Sequence, residues 1–345
     1  MKEKRKLLYH LVLLLATFIL GLILWLSLIL PYSEVNDNFT EIPGYVTHSE
    51  LYNFTYPLNL LPGNDYGLLV NNSFNFSILN LGCSEQTFLL VLIHSAPGNF
   101  QKRNVIRSTW GNRTKKIKIF YVMGKALLDI QNKILHENQI NKDIIQGNFK
   151  DVYRNLTLKH IMSLKYATYH CPQAKYILKT DDDVFVNMPL MQNFVNFDLS
   201  PFGTSNLLFC SVRKSVSVLR TYRSKWRVGF EEYPCRTYPT YCPGWVILYS
   251  PDVVFKLYKS AQNTANLFWI DDVHVTGILA AKNNISHTDS TNLIISKRDQ
   301  HSLVEKKVFP AKPFLFGRPD LEADEIKSLW SGVSAHKVPK SALGV

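Results

Sequence analysis

Residues Leu7–Leu30, LLYHLVLLLATFILGLILWLSLIL, form an unbroken apolar run in which only His10 titrates near neutrality. Coiled as a helix, a run of this length extends about 36 Å, enough to cross the hydrocarbon layer of a bilayer. The preceding KEKRK (Lys2–Lys6) is basic, and Glu34, Asp37 and Glu41 follow the run. The positive-inside bias therefore keeps the N-terminus in the cytosol. A cleaved signal peptide would have a shorter apolar core and small residues at a cleavage site, whereas Pro31-Tyr32 follows here. The expectation is a retained signal anchor, with a cytosolic tail at 1–6, a transmembrane helix at 7–30 and everything beyond it outside the cytosol.

Two other features fit an extracytosolic chain. Seven Asn-x-Ser/Thr triplets occur, at Asn38, Asn53, Asn71, Asn75, Asn112, Asn155 and Asn284, each a glycan acceptor by pattern. The five cysteines, Cys83, Cys171, Cys210, Cys235 and Cys242, show no CxxC spacing of a zinc or redox pair. In an oxidising lumen they allow two bridges and one leftover thiol. The net charge of +12 would otherwise suggest nucleic acid, a partner that this location removes. An anionic substrate or a membrane surface remains, although four of the cations belong to the anchor and most others are scattered as on a solvated face.

Beyond the anchor, residues 31–82 lack periodicity and are rich in Pro, Gly and Asn, which reads as a stem with at most local structure. From Phe88 the texture changes. FLLVLIH (Phe88–His94) and IKIFYVM (Ile117–Met123) are buried-strand runs, Asp143–Ile145 is a short third, and Lys175–Thr180 a fourth. Between them, a helix is expected through Arg103, Arg107 and Trp110, and another over 155–170 from Leu156, Leu158, Ile161, Leu164 and Ala167. Alternating strands and helices argue for an α/β fold with a mostly parallel sheet flanked by helices, whose ligands bind beyond the carboxyl ends of the strands.

Three carboxylates, Asp181, Asp182 and Asp183, follow the fourth run directly in YILKTDDDVFVNMP (Tyr176–Pro189). Adjacent anions at a strand end repel one another unless something positive satisfies them. In an extended segment the outer pair would face one way and hold a divalent ion, which could bridge a diphosphate and neutralise it as it leaves. A solvated acidic turn is the simpler alternative.

The surrounding motifs decide between these. QKRNVIRSTWG (Gln101–Gly111), DIIQGNFKDVYRNLTLKH (Asp143–His160), YILKTDDDVFVN (Tyr176–Asn187), KWRVGFEEYP (Lys225–Pro234), YPTYCPGWVILYS (Tyr238–Ser250) and IDDVHVTG (Ile270–Gly277) occur in this order. Together they resemble the β-1,3-galactosyltransferases and β-1,3-N-acetylglucosaminyltransferases of glycosyltransferase family 31, over roughly Cys83 to Trp330. The resemblance implies a type II Golgi membrane protein with a GT-A nucleotide-sugar-binding domain at 83–335 and a C-terminal tail at 336–345. It also implies a UDP-sugar donor, usually Mn2+, and inversion at the anomeric carbon.

By this resemblance Asp181–Asp183 are the Asp-x-Asp metal and nucleotide motif, with Asp183 the direct ligand. Arg103 and Arg107 are a basic helix whose guanidinium forks suit phosphate oxygens; surface charge on an amphipathic helix is the alternative. Asp272 is the general base, with Asp271 assisting or taking that role itself; an acidic helix cap is the structural alternative. Glu231, Glu232, Tyr241, Gly244 and Trp245 fall in the segments facing donor or acceptor. Cys83 and Cys171 sit at recurrent family cysteine positions, and Cys235 with Cys242 is a second candidate bridge. Family members often carry a metal-binding histidine just before a final Glu-x-x-x-Leu-Trp-like element. RPDLEADEIKSLW (Arg318–Trp330) has none, leaving His301 upstream as its substitute.

The expectation is transfer of galactose or N-acetylglucosamine to the 3-hydroxyl of a glycan acceptor on glycoprotein or glycolipid, with homo- or hetero-oligomers allowed. The alternatives are Fringe-like or N-acetylgalactosaminyl transfer on the same scaffold, or a catalytically silent luminal binding protein.

Overall fold

Strand residues of alternating parity divide between two apolar layers, so the central sheet is buried on both faces. In the computed structural model, which describes residues 15, 17, 19, 21, 45–50, 52 and 54–343, the sheet has eight strands. In chain order these are β1 (Phe76–Ile78), β2 (Leu89–His94), β3 (Ile117–Lys125), β4 (Ile144–Lys150), β5 (Tyr176–Asp181), β6 (Leu208–Cys210), β7 (Val246–Tyr249) and β8 (Thr288–Asp289). Their spatial order is β8-β6-β7-β5-β2-β3-β4-β1. The run from β5 through β2 and β3 to β4 is parallel, as expected, whereas β1, β6 and β7 join antiparallel. The sheet is therefore mixed.

One face receives α1 (Phe100–Ser108), α2 (Leu128–Asn141) and, from the end of the chain, α5 (Lys297–Lys306) and α6 (Ala323–Ser334). The other receives α3 (Leu156–His170) and α4 (Pro251–Gln262). Helix α3 is buried nearly all round, and Lys159, His160 and Lys165 are buried with its apolar residues. Each of these polar side chains must then find a partner inside the protein.

The stem expectation for 31–82 fails where the structure describes that segment, because the described residues from 45 onward belong to one compact unit. Val46–Thr47 pairs with Thr204–Ser205, and β1 closes one edge of the sheet. Tyr56, Leu61, Leu69, Val70 and Phe74 cover the α3–α4 face. Asp65 fixes this cover. Its carboxylate, 2% exposed, accepts from Tyr258 Oη (2.5 Å), Gln262 Nε2 (2.6 Å) and Tyr169 Oη (2.7 Å). Lys165 Nζ donates to the carbonyls of Asp65 (2.6 Å) and Leu68 (2.8 Å). The segment escapes periodicity because it packs as short pieces rather than as one long element.

Apart from four isolated residues, the expected tail and anchor lie outside the described residues, as do Asn38 and Asn53. Among the described residues no helix is long and apolar enough to cross a membrane. Asn71, Asn75, Asn112 and Asn284 are exposed. Asn155 is half-buried, with Nδ2 donating to Lys150 O, and its triplet partner Thr157 is buried and bonded to Phe268 O.

Cys83 bonds Cys171, but Cys242 bonds Cys210 rather than Cys235, which is free and exposed. The reason is strand pairing. Antiparallel β6 and β7, extended by a bridge between Arg213 and Tyr241, bring the Cα atoms of Cys210 and Cys242 to 5.6 Å.

Candidate active site

Parallel β2 and β5 end side by side, with His94 opposite Asp181, and antiparallel β7 begins at the same edge of the sheet. The carboxyl ends of two strands and the entry to a third thus meet at one cleft of about 730 Å3. Both acidic groups, Asp181–Asp183 and Asp271-Asp272, line it, together with Gly244, Trp245 and Asp320. The two acidic motifs, some 90 positions apart in the chain, converge on this one cleft.

Lys179 joins them. Two residues before Asp181 on β5, it points to the same face, where its Nζ is 2.7 Å from Asp181 Oδ1 and also bonds the carbonyl of Gly244. Burial works against its charge, but Asp181 and Asp271 together hold its pKa above the usual lysine value. Burial pushes the Asp181 carboxyl up, more than Lys179 lowers it.

The chain turns straight after Asp181, so Asp181 and Asp183 are not arrayed along a strand as expected. Asp182 is buried and accepts from Ser95 Oγ (2.6 Å) and Asn99 Nδ2 (2.9 Å). It clamps the β2–α1 loop from the cleft wall. The Asp183 carboxylate has no hydrogen-bond or ion-pair partner among the described residues, although its backbone carbonyl accepts from Leu321 N (3.0 Å). Burial, with Asp181, Asp182 and Asp320 nearby, pushes its carboxyl up to about 6. A half-buried carboxylate among other carboxylates is short of a cation, and all-oxygen donors suit a hard divalent one. No group of three such ligands exists among the described residues. A bound cation would therefore complete its shell with substrate oxygens or water.

Asp271 and Asp272 have opposite environments. Burial disfavours charge on Asp271, yet a hydrogen bond from His160 Nδ1 (3.0 Å) and nearby Lys179 hold its carboxyl below the usual range. A carboxylate can only accept, so Nδ1 carries the proton; burial keeps the imidazole neutral, and Nε2 accepts from Tyr249 Oη at 2.9 Å. Burial and the adjacent Asp271 charge push Asp272 up to about 7. Its Oδ1 accepts from Val273 N (2.8 Å) and its Oδ2 from Gly244 N (3.3 Å). Asp272 thus does cap the following helical segment, Val273–Leu279, while facing the cleft. A Cβ on Gly244 would lie 3.4–3.5 Å from Lys179 Nζ, Asp271 Oδ2 and Asp272 Cβ. Glycine therefore leaves open the space where the two acidic groups meet.

Several expected residues lie elsewhere. Arg103 is fully buried and donates to both oxygens of Glu137, to Ser95 Oγ and to the carbonyls of Ala96 and Pro97. Arg107 pairs with Asp143 (2.8 Å) and Glu137 (2.7 Å). These forks are spent on protein carboxylates, and neither arginine lines the acidic cleft; Arg103 instead shapes the loop that carries Ser95 and Asn99. Glu231 is exposed away from the cleft, and Glu232 is tied to Arg154 (2.7 Å) and Gly229 N (2.8 Å). Tyr241 bridges Arg213 and packs beside Gly277 rather than lining the cleft. His301 is exposed on α5 and also outside it.

Sequence reasoning missed Lys179, His160, Tyr249, Ser95, Asn99 and Asp320. Lys179 carried the one available signal, a cation inside an otherwise apolar strand.

A family model for galactosyltransferases matches residues 101–291. The lactosylceramide 1,3-N-acetyl-beta-D-glucosaminyltransferase of Mus musculus is 31% identical over 276 residues, covering 73% of this chain and 71% of that one. Its Homo sapiens counterpart is 28% identical over 326 residues, covering 87% and 82%. Beta-1,3-galactosyltransferase 2 of Pongo abelii is 32% identical over 275 residues, covering 76% and 64%. These likenesses define a hexosyltransferase. The chain belongs to the galactosyltransferase family, within glycosyltransferase family 31.

Proposed function

We propose that this chain is an inverting β-1,3-glycosyltransferase of GT-A type. It moves galactose or N-acetylglucosamine from a UDP-sugar to the 3-hydroxyl of a glycan acceptor. The observation that carries this reading is the split between Asp271, held ionised by His160 and Lys179, and Asp272, raised to about 7 in the same cleft as Asp181–Asp183. Two neighbouring carboxyls pushed apart in this way give one fixed anion and one group that exchanges protons near neutrality.

Asp272 accepts the proton of the acceptor hydroxyl as that oxygen bonds the anomeric carbon. The bond from that carbon to the diphosphate oxygen breaks, and its electron pair leaves with UDP. Attack and departure on opposite faces invert the centre. Asp271 keeps Asp272 basic, His160 and Tyr249 hold Asp271 in place, and Lys179 keeps the two acidic groups from repelling each other apart. Asp183, with Asp181 beside it, is the position to hold Mn2+ or another divalent cation, which when bound would neutralise charge developing on the departing diphosphate.

The apolar run at 7–30 supports a type II anchor in the Golgi membrane with the catalytic unit in the lumen. The full-length protein, given Mn2+, UDP-Gal, UDP-GlcNAc or UDP-GalNAc and a panel of acceptors, should release UDP with one of the first two donors. Asp272→Asn should abolish that release. Preference for UDP-GalNAc would favour the alternative specificity, and no release with any pair would favour a silent binding protein.

A further inference from the structure

The loop between β6 and β7 carries seven cations and two carboxylates over 211–240. It has little regular structure, yet it is organised. Arg220 donates to the carbonyls of Val228, Gly229, Tyr233 and Cys235 and stacks on Phe230. Beside the acidic cleft, and sharing Tyr153 and Lys225 with it, this loop closes a second pocket of about 300 Å3. Its lining is Tyr153, Arg154, Lys225, Arg227 and Trp269.

The two spaces have opposite charge. Aspartates 181–183, 271, 272 and 320 line the cleft, against Lys179, the Asp151-bound Lys159 and, at the rim shared with the outer pocket, Lys225. The outer pocket has three cations and, close by, the one carboxylate of Glu232, which Arg154 already binds. Neither Lys225 nor Arg227 makes a close ion pair among the described residues, though the Glu232 carboxylate feels Arg227; each lies against a ring, Trp226 at 5.1 Å and Tyr222 at 3.8 Å. Tyr153, which is exposed, presents aromatic surface of the kind that packs on the apolar face of a sugar, while the buried Trp269 ring, 6.1 Å from it, forms the pocket floor beneath Arg154. A neutral hydroxyl can approach Asp272, but an anionic substituent is repelled there and attracted to the rim.

We propose that the pocket formed by Tyr153, Arg154, Lys225, Arg227 and Trp269 is an acceptor subsite for an acidic sugar. It takes the sulfate, carboxylate or phosphate of an anionic glycan whose neutral terminal sugar enters the cleft. This rests on the transfer reading above, and it narrows the acceptor to anionic glycans.

The test uses the full-length, UDP-loaded protein and two soluble acceptors identical except for one sulfate placed away from the reacting 3-hydroxyl. Isothermal titration should show the sulfated acceptor binding about tenfold more tightly, the effect of two partly exposed charge contacts. High salt should erase the difference. Lys225→Ala/Arg227→Ala should bring the ratio close to unity while UDP affinity stays within about twofold. Equal binding of the two acceptors by the wild type would overturn the proposal. So would a double variant that loses UDP affinity, which would assign these cations to the diphosphate. A preference found only for acceptors embedded in anionic vesicles would assign them to a membrane surface and also overturn it. Binding is read separately from turnover, so a sulfate preference without transfer would keep this subsite and refute the enzymatic reading instead.

Discussion

Replacing Lys179 with methionine keeps most of its volume and removes the cation shared by the two acidic groups. The Nζ to Asp181 Oδ1 distance is 2.7 Å, which at an effective dielectric of 20 is an attraction of about 6 kcal/mol. Burying the ammonium offsets part of this, and water screens more because the Asp181 side chain is 36% exposed. A net loss of about 2–3 kcal/mol at neutral pH remains, below the usual cost of breaking a fully buried pair. In a domain of this size that lowers Tm by about 5 °C. The pH dependence is the sharper test. Without Lys179, the already raised folded-state pKa of Asp181 rises further, and that of Asp271 rises from its depressed value. The folded variant then binds more protons than the unfolded one, so its stability recovers as pH falls. Thermal unfolding of wild type and variant from pH 7.5 to 5.5 should show the deficit shrinking. A deficit that stays constant, deepens in acid, or is missing at neutral pH would refute the bridging role.

Other outcomes follow from the same structure. Cys210→Ser opens a bridge spanning 32 residues and should cost about 3–4 kcal/mol in denaturant unfolding. Cys235→Ser should stay within about 0.5 kcal/mol of the wild type; the reverse ranking would contradict the pairing. Asp65→Ala removes the buried carboxylate that accepts from Tyr258, Gln262 and Tyr169 and lies 3.7 Å from the Lys165 ammonium, and should cost about 3–5 kcal/mol, whereas a mobile stem would make that change silent. Below the Asp183 value of about 6 a proton competes with the cation. Mn2+ affinity of the UDP-loaded protein, followed by titration calorimetry, should therefore fall as pH drops through that range, and Asp183→Asn should weaken it at every pH.

The sequence made the parallel heart of the sheet legible because β2, β3 and β5 are continuous apolar runs that only a doubly covered sheet can bury. The Asp-rich strand end and Asp271-Asp272 were legible because clustered carboxylates need a compensating environment wherever they fold. Arg103 and Arg107 were misplaced for a physical reason: helical spacing says which residues share a face, but not whether that face meets phosphate or, as here, Glu137 and Asp143. The bridge from Cys242 to Cys210 depends on strand pairing that spacing does not encode. The residues from 45 to 80 lack a period because their fold comes from buried partners on α3 and α4, above all Lys165 and Tyr258. His160 was hidden in a helix that looks merely apolar, and its role emerges only when Asp271 is brought to 3.0 Å.

The central claim is that Asp272 removes the acceptor proton, and the pH dependence of kcat/KM tests it most directly. With donor and metal saturating, kcat/KM for the acceptor should rise with pH and level off above an apparent pKa near the Asp272 value of about 7. Asp271→Asn removes the neighbouring charge and should move that limb to lower pH, and Asp272→Asn should remove it along with nearly all activity. A profile flat from pH 5.5 to 8, or an Asp272→Asn enzyme that keeps both rate and limb, would contradict the assignment.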